Sequence, residues 1–269
     1  MSQAESIDDP RRQFLIRALA AGLYAAGAGV AGRAAAEGLL GKTPEKLKPG
    51  QSFYRLEGEV LVNGKPADAS TLISANDSIK TGSQGPAVFV VGQDAFLLRP
   101  NSEIKLSGRA KLQQRLQQAK ASYGATEPAQ PRVPDPGEGV VDAFRLVSGG
   151  VLTVFGKTGH QAITSTATVG IRGTGVYFES EPDRSYVCTC YGLTEIAASA
   201  DRDSFVQVAS QHHDAPKYVL AAGERGQRVV KAPFKNHNDL ELMLLEELVG
   251  RTPPFSVAGD NYGAPRRGY

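Results

Sequence analysis

Five side chains in this sequence have the types and order to hold a metal ion. Cys188 and Cys190 are the only cysteines and stand as C-x-C. On a strand, period-two alternation places both on one face. A disulfide between positions i and i+2 would be strained, because the two Cβ atoms are poorly placed for it. His212, His213 and His237 follow in two polar stretches, QHHDAP and KNHND. Thiolate and imidazole are the ligands that zinc and copper favour, and two of each complete a tetrahedral site. The spacing matches no standard zinc finger, so two readings stand side by side. In one, Cys188 and Cys190 join two of His212, His213 and His237 around a transition metal (Zn or Cu) with a redox or metal-handling role. In the other, they are small buried side chains of an ordinary core. His160, beside Gly159, is expected at the surface, and Asp201, Asp203 and Asp214 read as turn residues.

Catalytic signatures are missing. The sequence has no G-x-S-x-G, no phosphate loop, no C-x-x-C and no His-x-x-Glu-His, so no catalytic residue and no organic cofactor is expected. Charged residues make up 22% at a net charge of +2, spread without long runs, which argues against a nucleic-acid surface. Hydrophobic residues at 41% fit a globular chain.

A second constellation lies in ITSTATVGIRGTG, residues 163–175. Gly170 and Gly173 flank Ile171-Arg172 and permit backbone angles that other residues avoid, which predicts a kink between two strands closed by Thr174. Arg172 offers five donors in a rigid fork, suited to holding carbonyls or a carboxylate at the bend. The alternative is contact with an anion or a partner.

The elements that must position these groups are mostly short strands. Strands are predicted over residues 58–62, closed by Asn63-Gly64, then 78–81, 87–91, 95–98, 104–106, 143–147, 151–155, 162–168, 176–178, 186–191, 193–197, 205–209 and 218–221. Residues 109–122 are helix-forming with a narrow apolar stripe, and 125–139 are Pro-rich, so 109–139 reads as an insertion carrying a surface helix. Residues 238–249 form an amphipathic helix with Leu240, Met243, Leu244 and Leu248 on one face, Asn238 or Asp239 as cap, and Gly250 at its end. The expected fold is mainly β: a compact two-layer β-roll or sandwich with an inserted surface helix and a C-terminal helix. The β domain spans 54–223, preceded by a connector over 37–53 and followed by helix and irregular tail over 224–269.

The N-terminus reads as a leader. Arg11-Arg12 followed by Phe14-Leu15 resembles the twin-arginine export motif. Behind it come a weakly apolar Ala/Gly run over 18–32 and a small-residue site, Ala34 to Ala36, with cleavage expected after Ala36. The expectation is a periplasmic or exported protein, anchored to the membrane if the leader is retained. That export route, by resemblance, carries folded proteins, which lends weak support to a metal loaded beforehand.

Beyond these motifs, the Val169-Gly170-Ile171-Arg172-Gly173-Thr174 block resembles the signature of the FecR domain, a family of bacterial periplasmic domains. Segments 77–82, 87–91, 97–102 and 149–154 agree with it in order and spacing. Gly175 departs from the pattern, since an acidic residue often follows the Arg-Gly-Thr triplet in that family. The resemblance implies an exported, non-enzymatic module that binds a partner protein or a cell-envelope ligand. Only ten residues precede Arg11, so no cytoplasmic anti-sigma region, and no direct contact with a sigma factor, is expected.

Overall fold

A computed structural model describes residues 46–48, 50–108, 141–156 and 159–251, with the backbone but not the side chain of Thr174. The expected leader with Arg11, Arg12, Phe14, Leu15, Ala34 and Ala36, the expected insertion over 109–139, and the tail beyond 251 lie outside the described residues.

The described chain is mainly β. Its first strands are β1 (Phe53–Leu56), β2 (Val60–Val62), β3 (Lys65–Pro66), β4 (Ser78–Thr81), β5 (Ala87–Val91), β6 (Asp94–Leu98) and β7 (Glu103–Gly108). Then come β8 (Val141–Val154), β9 (Gly159–Ile163), β10 (Ala167–Ser180), β11 (Arg184–Ala198), β12 (Asp201–Ser210), β13 (Lys217–Leu220) and β14 (Val229–Lys231), and helix α1 (Asp239–Leu248) closes the set. The hairpin between β2 and β3 turns on Asn63 and Gly64, both with positive φ, which is the backbone that an Asn-Gly pair supplies most readily.

All fourteen strands belong to one sheet folded onto itself. Three long strands, β8, β10 and β11, run through both layers and change neighbours halfway. The first half of β8 pairs with β7 and, in parallel, with β9; its second half pairs with β6 and β10. Strand β10 pairs first with β9 and then with β8. Strand β11 pairs first with β13 and then with β12. Each strand bends at a glycine with left-handed backbone: Gly149 (φ 77), Gly173 (φ 57) and Gly192 (φ 90). Residues with a Cβ avoid that region, and a Cβ at Gly149 would overlap Ser102.

This geometry corrects several boundaries read from the sequence. The strands expected over 143–147 and 151–155 are one strand that ends at Val154, and 186–191 and 193–197 are also one, because a glycine bend redirects a strand while its ladder continues with new partners. The kink at Gly173 likewise lies inside β10, not between two strands. Conversely, 162–168 is not one strand: the chain turns between β9 and β10, with the Thr164 amide donating to the Ala167 carbonyl at 2.9 Å. His160 is not at the surface. It is 5% exposed, stacks on Phe155 at 4.5 Å, and bonds the Val141 carbonyl through Nδ1 at 2.6 Å.

Between the layers lies an aromatic and aliphatic core. Phe96 stacks on Phe89 at 5.1 Å and meets Phe144 and Phe155 edge-on. Ile79, Ile104, Val169, Ile171 and Ile196 fill the space around them. A second apolar surface lies on the outer face of the layer that contains β6: Val88, Leu97, Leu152, Val154, Tyr177, Tyr186, Cys188, Cys190 and Tyr191, covered by α1.

Asn238 caps α1 in a capping box, its side chain accepting from the Glu241 amide while the Glu241 carboxylate accepts from the Asn238 amide. Far from burying one stripe, the helix is buried almost all round, Glu241 and Glu246 included. Both carboxylates are neutralised where they are buried. Arg99 holds Glu241 with two nitrogens at 2.6 and 2.7 Å, and Glu246 takes the Tyr191 hydroxyl and the Arg251 guanidinium. No helix among the described residues is long and apolar enough to cross a membrane.

Candidate metal centre

Three segments converge beside the start of α1. Strand β11 presents Tyr186, Cys188 and Cys190 on the face that α1 covers, as period-two alternation requires. The turn after β12 supplies His213. Its backbone is braced by the Asp214 carboxylate, which accepts from the amides of Gln211 and His212 at 2.7 and 3.2 Å. His213 adopts φ 55, and its amide donates to the Cys190 carbonyl at 2.8 Å, so the turn is tied to the cysteine strand. The segment entering α1 supplies His237, stacked on Tyr177 at 4.5 Å and tilted against Phe234 at 4.6 Å.

Cys188, Cys190, His213 and His237 are all buried, and one ligand atom from each falls within 4.8 Å of every other. Both cysteines are free thiols. Of the three histidines expected from the sequence, the structure therefore brings two to the cysteines. His212 turns outward, its Nε2 2.8 Å from Asp239 Oδ1.

Hydrogen bonds fix the tautomers. His237 Nδ1 lies 2.7 Å from the Lys235 carbonyl, an obligate acceptor, so Nδ1 carries the proton and Nε2 offers a lone pair. His213 Nε2 lies 3.1 Å from Asp239 Oδ1 and donates to it, which leaves Nδ1 facing inward. These are the outer-shell bonds that orient metal-bound imidazoles. The two inward nitrogens are 3.1 Å apart, and His213 Nδ1 is 3.5 Å from Cys188 Sγ. Two lone pairs cannot share that gap without a cation between them. Bonds of about 2.3 Å to sulfur and 2.05 Å to nitrogen give tetrahedral edges of about 3.4 Å for N to N and about 3.6 Å for S to N.

Without a metal, a proton fills the gap. Burial works against charge on His213, but its bonds to Asp239 and Cys188 outweigh that and push its pKa up to about 9. Burial likewise opposes the Cys188 thiolate, yet hydrogen bonding from Cys190, His213 and His237 holds that thiol well below its ordinary value. Cys190 is driven well above it, first by burial and then by the neighbouring Cys188. Asp239 is depressed although burial opposes its charge, because His212 and His213 both bond to it. Protons are therefore held more firmly by Cys190 and His213 than by Cys188.

Two supporting groups carry little signal in the sequence. Asp239 reads there only as a helix cap, and Tyr186 only as a strand residue. Tyr186 is buried beside the cysteines, and Lys235 Nζ lies 4.9 Å from its ring centroid.

The glycine-arginine constellation lies elsewhere. Gly173 takes the left-handed backbone, whereas Gly170 sits in the β10–β11 ladder without it. Thr174 falls in the register shift between Arg172 and Gly175. Arg172 is two-thirds exposed and reaches Glu195 on β11 at 3.2 Å, so it holds a surface carboxylate and not the carbonyls of the bend. Gly175 is required by packing: a Cβ there would stand 2.6 Å from the Tyr191 ring and 2.9 Å from Leu242 of α1.

No family model matches the chain. No curated protein sequence matches it either. Among solved structures, two crystal structures of a candidate anti-sigma factor from Parabacteroides distasonis ATCC 8503 align at a TM-score of 0.37 and 10% identity. The alignment covers 58% of this chain and 58% of that one. A likeness this distant carries no argument about the present chain.

Proposed function

We propose that this chain is an exported, non-enzymatic binding module built around a mononuclear Cys2His2 transition-metal centre formed by Cys188, Cys190, His213 and His237. One observation carries the reading: two imidazoles, each oriented by an outer-shell acceptor, aim their inner ring nitrogens at one point beside two thiols. The ion is divalent zinc in preference to copper. Two thiolates neutralise a divalent cation, and a neutral centre is the least costly in a pocket this buried. Tetrahedral S2N2 coordination also suits zinc. All four protein ligands are spent, so no position stays open for a substrate, and the role is structural. The centre joins the sheet, the turn after β12 and the entry to α1.

The leader around Arg11 and Arg12, and the resemblance of residues 169–174 to the FecR signature, support export and binding of a partner protein or cell-envelope ligand. Substituting lysine for both Arg11 and Arg12 is expected to leave the chain in the cytoplasm at precursor size. Periplasmic accumulation of that variant would remove the export reading.

Elemental analysis tests the centre. Protein isolated without chelators is expected to hold about one equivalent of zinc, and Cys188→Ser and His237→Ala are expected to lose it. Less than about 0.1 equivalent of any transition metal in the wild type, with unchanged melting of both variants, would return the cysteines to the role of plain core residues.

A further inference from the structure

We infer that His212 and Asp239 form a solvent-facing capture site for a divalent transition-metal ion, through which the ion enters and leaves the buried Cys2His2 centre. This rests on the metal-centre reading and adds a second, transient binding position to it.

A closed site needs an entrance, and the walls of this one are unequal. Tyr177 stacks on one side of His237, and Phe234 packs at 4.6 Å against both His237 and His213. Cys188 and Cys190 face the apolar cluster under α1. None of these walls offers a ligand to a hydrated cation. The remaining wall is His212 and Asp239, whose side chains are 17% and 14% exposed, against 5% for His213. Among the described residues it is the side where ligating atoms reach both water and the centre.

The chemistry of that wall suits brief coordination. His212 Nε2 and His213 Nε2 lie 2.8 and 3.1 Å from the same oxygen, Asp239 Oδ1. The three ligand atoms fall within 4.8 Å of one another. A carboxylate and an imidazole at the rim can exchange for waters of the incoming ion one at a time. His213 belongs to both clusters, with Nε2 facing the rim and Nδ1 facing the centre. The ion therefore meets Asp239 and His212 first and then passes the edge of one imidazole into the stronger thiolate field. No electron changes hands: bound water leaves the ion and protons leave the ligands.

The alternative role for His212 is outer-shell support, acting through Asp239 on the orientation of His213. Rates separate the two. A capture residue changes uptake and release alike and leaves affinity intact, because it touches the path and not the end state. An outer-shell residue changes affinity, typically by about 10–100-fold, through faster release.

The experiment measures zinc uptake by the full-length metal-free protein in stopped flow with a zinc-sensitive dye, and zinc release to excess chelator. Wild type is compared with His212→Ala and Asp239→Asn. His212→Ala is expected to slow both uptake and release by about tenfold or more, while equilibrium loading stays at one zinc per chain. Asp239→Asn is expected to slow uptake and also to weaken binding, since it serves both places. Uptake by His212→Ala within about twofold of wild type would overturn the capture site. So would loss of its zinc at equilibrium, which would make His212 a ligand, or faster release at normal uptake, which would make it outer-shell support. Failure of the wild type itself to take up zinc would instead remove the centre on which the inference rests.

Discussion

The two buried faces of the sheet are stabilised by different means. Between the layers, Phe89, Phe96, Phe144, Phe155 and Phe178 pack with aliphatic side chains from nearly every strand. That face is held mainly by the removal of apolar area from water. The outer face under α1 is as dry but far more polar. It holds two thiols, two imidazoles, three tyrosines and, on the helix, Glu241 and Glu246. Each polar atom there must find a partner or be costly. Arg99, Arg251 and Tyr191 answer for the glutamates, and under the proposal above a metal ion would answer for the cysteines and histidines. An apolar face tolerates small errors of position, whereas this one depends on a few specific contacts.

Metal removal separates the two faces most strongly. Structural zinc contributes on the order of 10 kcal/mol in small metal-dependent folds. Here chelation is expected to undock α1 and the segment over 211–238 while the inter-layer core persists. Hydrogen exchange followed by mass spectrometry should show faster exchange over 211–248 and unchanged protection in β5, β6 and β8. Uniform deprotection of the whole sheet would mean that the two faces are one cooperative unit.

Truncation in the inter-layer core should act the other way. Phe96→Ala removes a ring that touches three other aromatics, at an expected cost of about 3–5 kcal/mol. It should lower the melting temperature without changing the zinc content. Loss of zinc at temperatures where this variant remains folded would show that the faces are coupled.

The bend that creates the two faces gives a smaller effect. Gly173→Val forces a β-branched residue into left-handed backbone and should cost about 1–3 kcal/mol in denaturant unfolding. Arg172→Ala removes an exposed ion pair with Glu195 and should cost at most about 1 kcal/mol. If Arg172→Ala proved the more damaging, the bend would depend on the arginine and not on the glycine.

Zinc loading also has a proton signature. At neutral pH the metal-free centre carries a proton on Cys190, held there mainly by burial, and one on His213, whose pKa is raised to about 9. Binding must displace both, so zinc affinity should fall as pH drops from 8 to 6. Calorimetry in buffers of different ionisation enthalpy would count the protons. A value near zero would mean that thiolate and neutral imidazole already predominate before the metal arrives.

The amino-acid sequence by itself determined the β class, the hairpin at Asn63-Gly64, the capped helix and the common face of Cys188 and Cys190. Each of these follows from local rules: alternation along a strand, turn residues with positive φ, and a capping pair three residues apart. The choice among His212, His213 and His237 was beyond such rules. It depended on the left-handed turn at His213, on the stacking of His237 against Tyr177, and on Asp239 drawing His212 outward. The continuity of β8, β10 and β11 through their glycines was equally invisible, since a glycine that ends a strand and one that bends it look alike in sequence. Only the neighbouring strands, by offering new hydrogen-bond partners beyond each bend, decided which it would be. His160 and the all-round burial of α1 belong with these. Whether a polar side chain is buried is settled by the partners that distant segments bring to it, and in this fold those partners lie as far apart as Arg99 and Glu241.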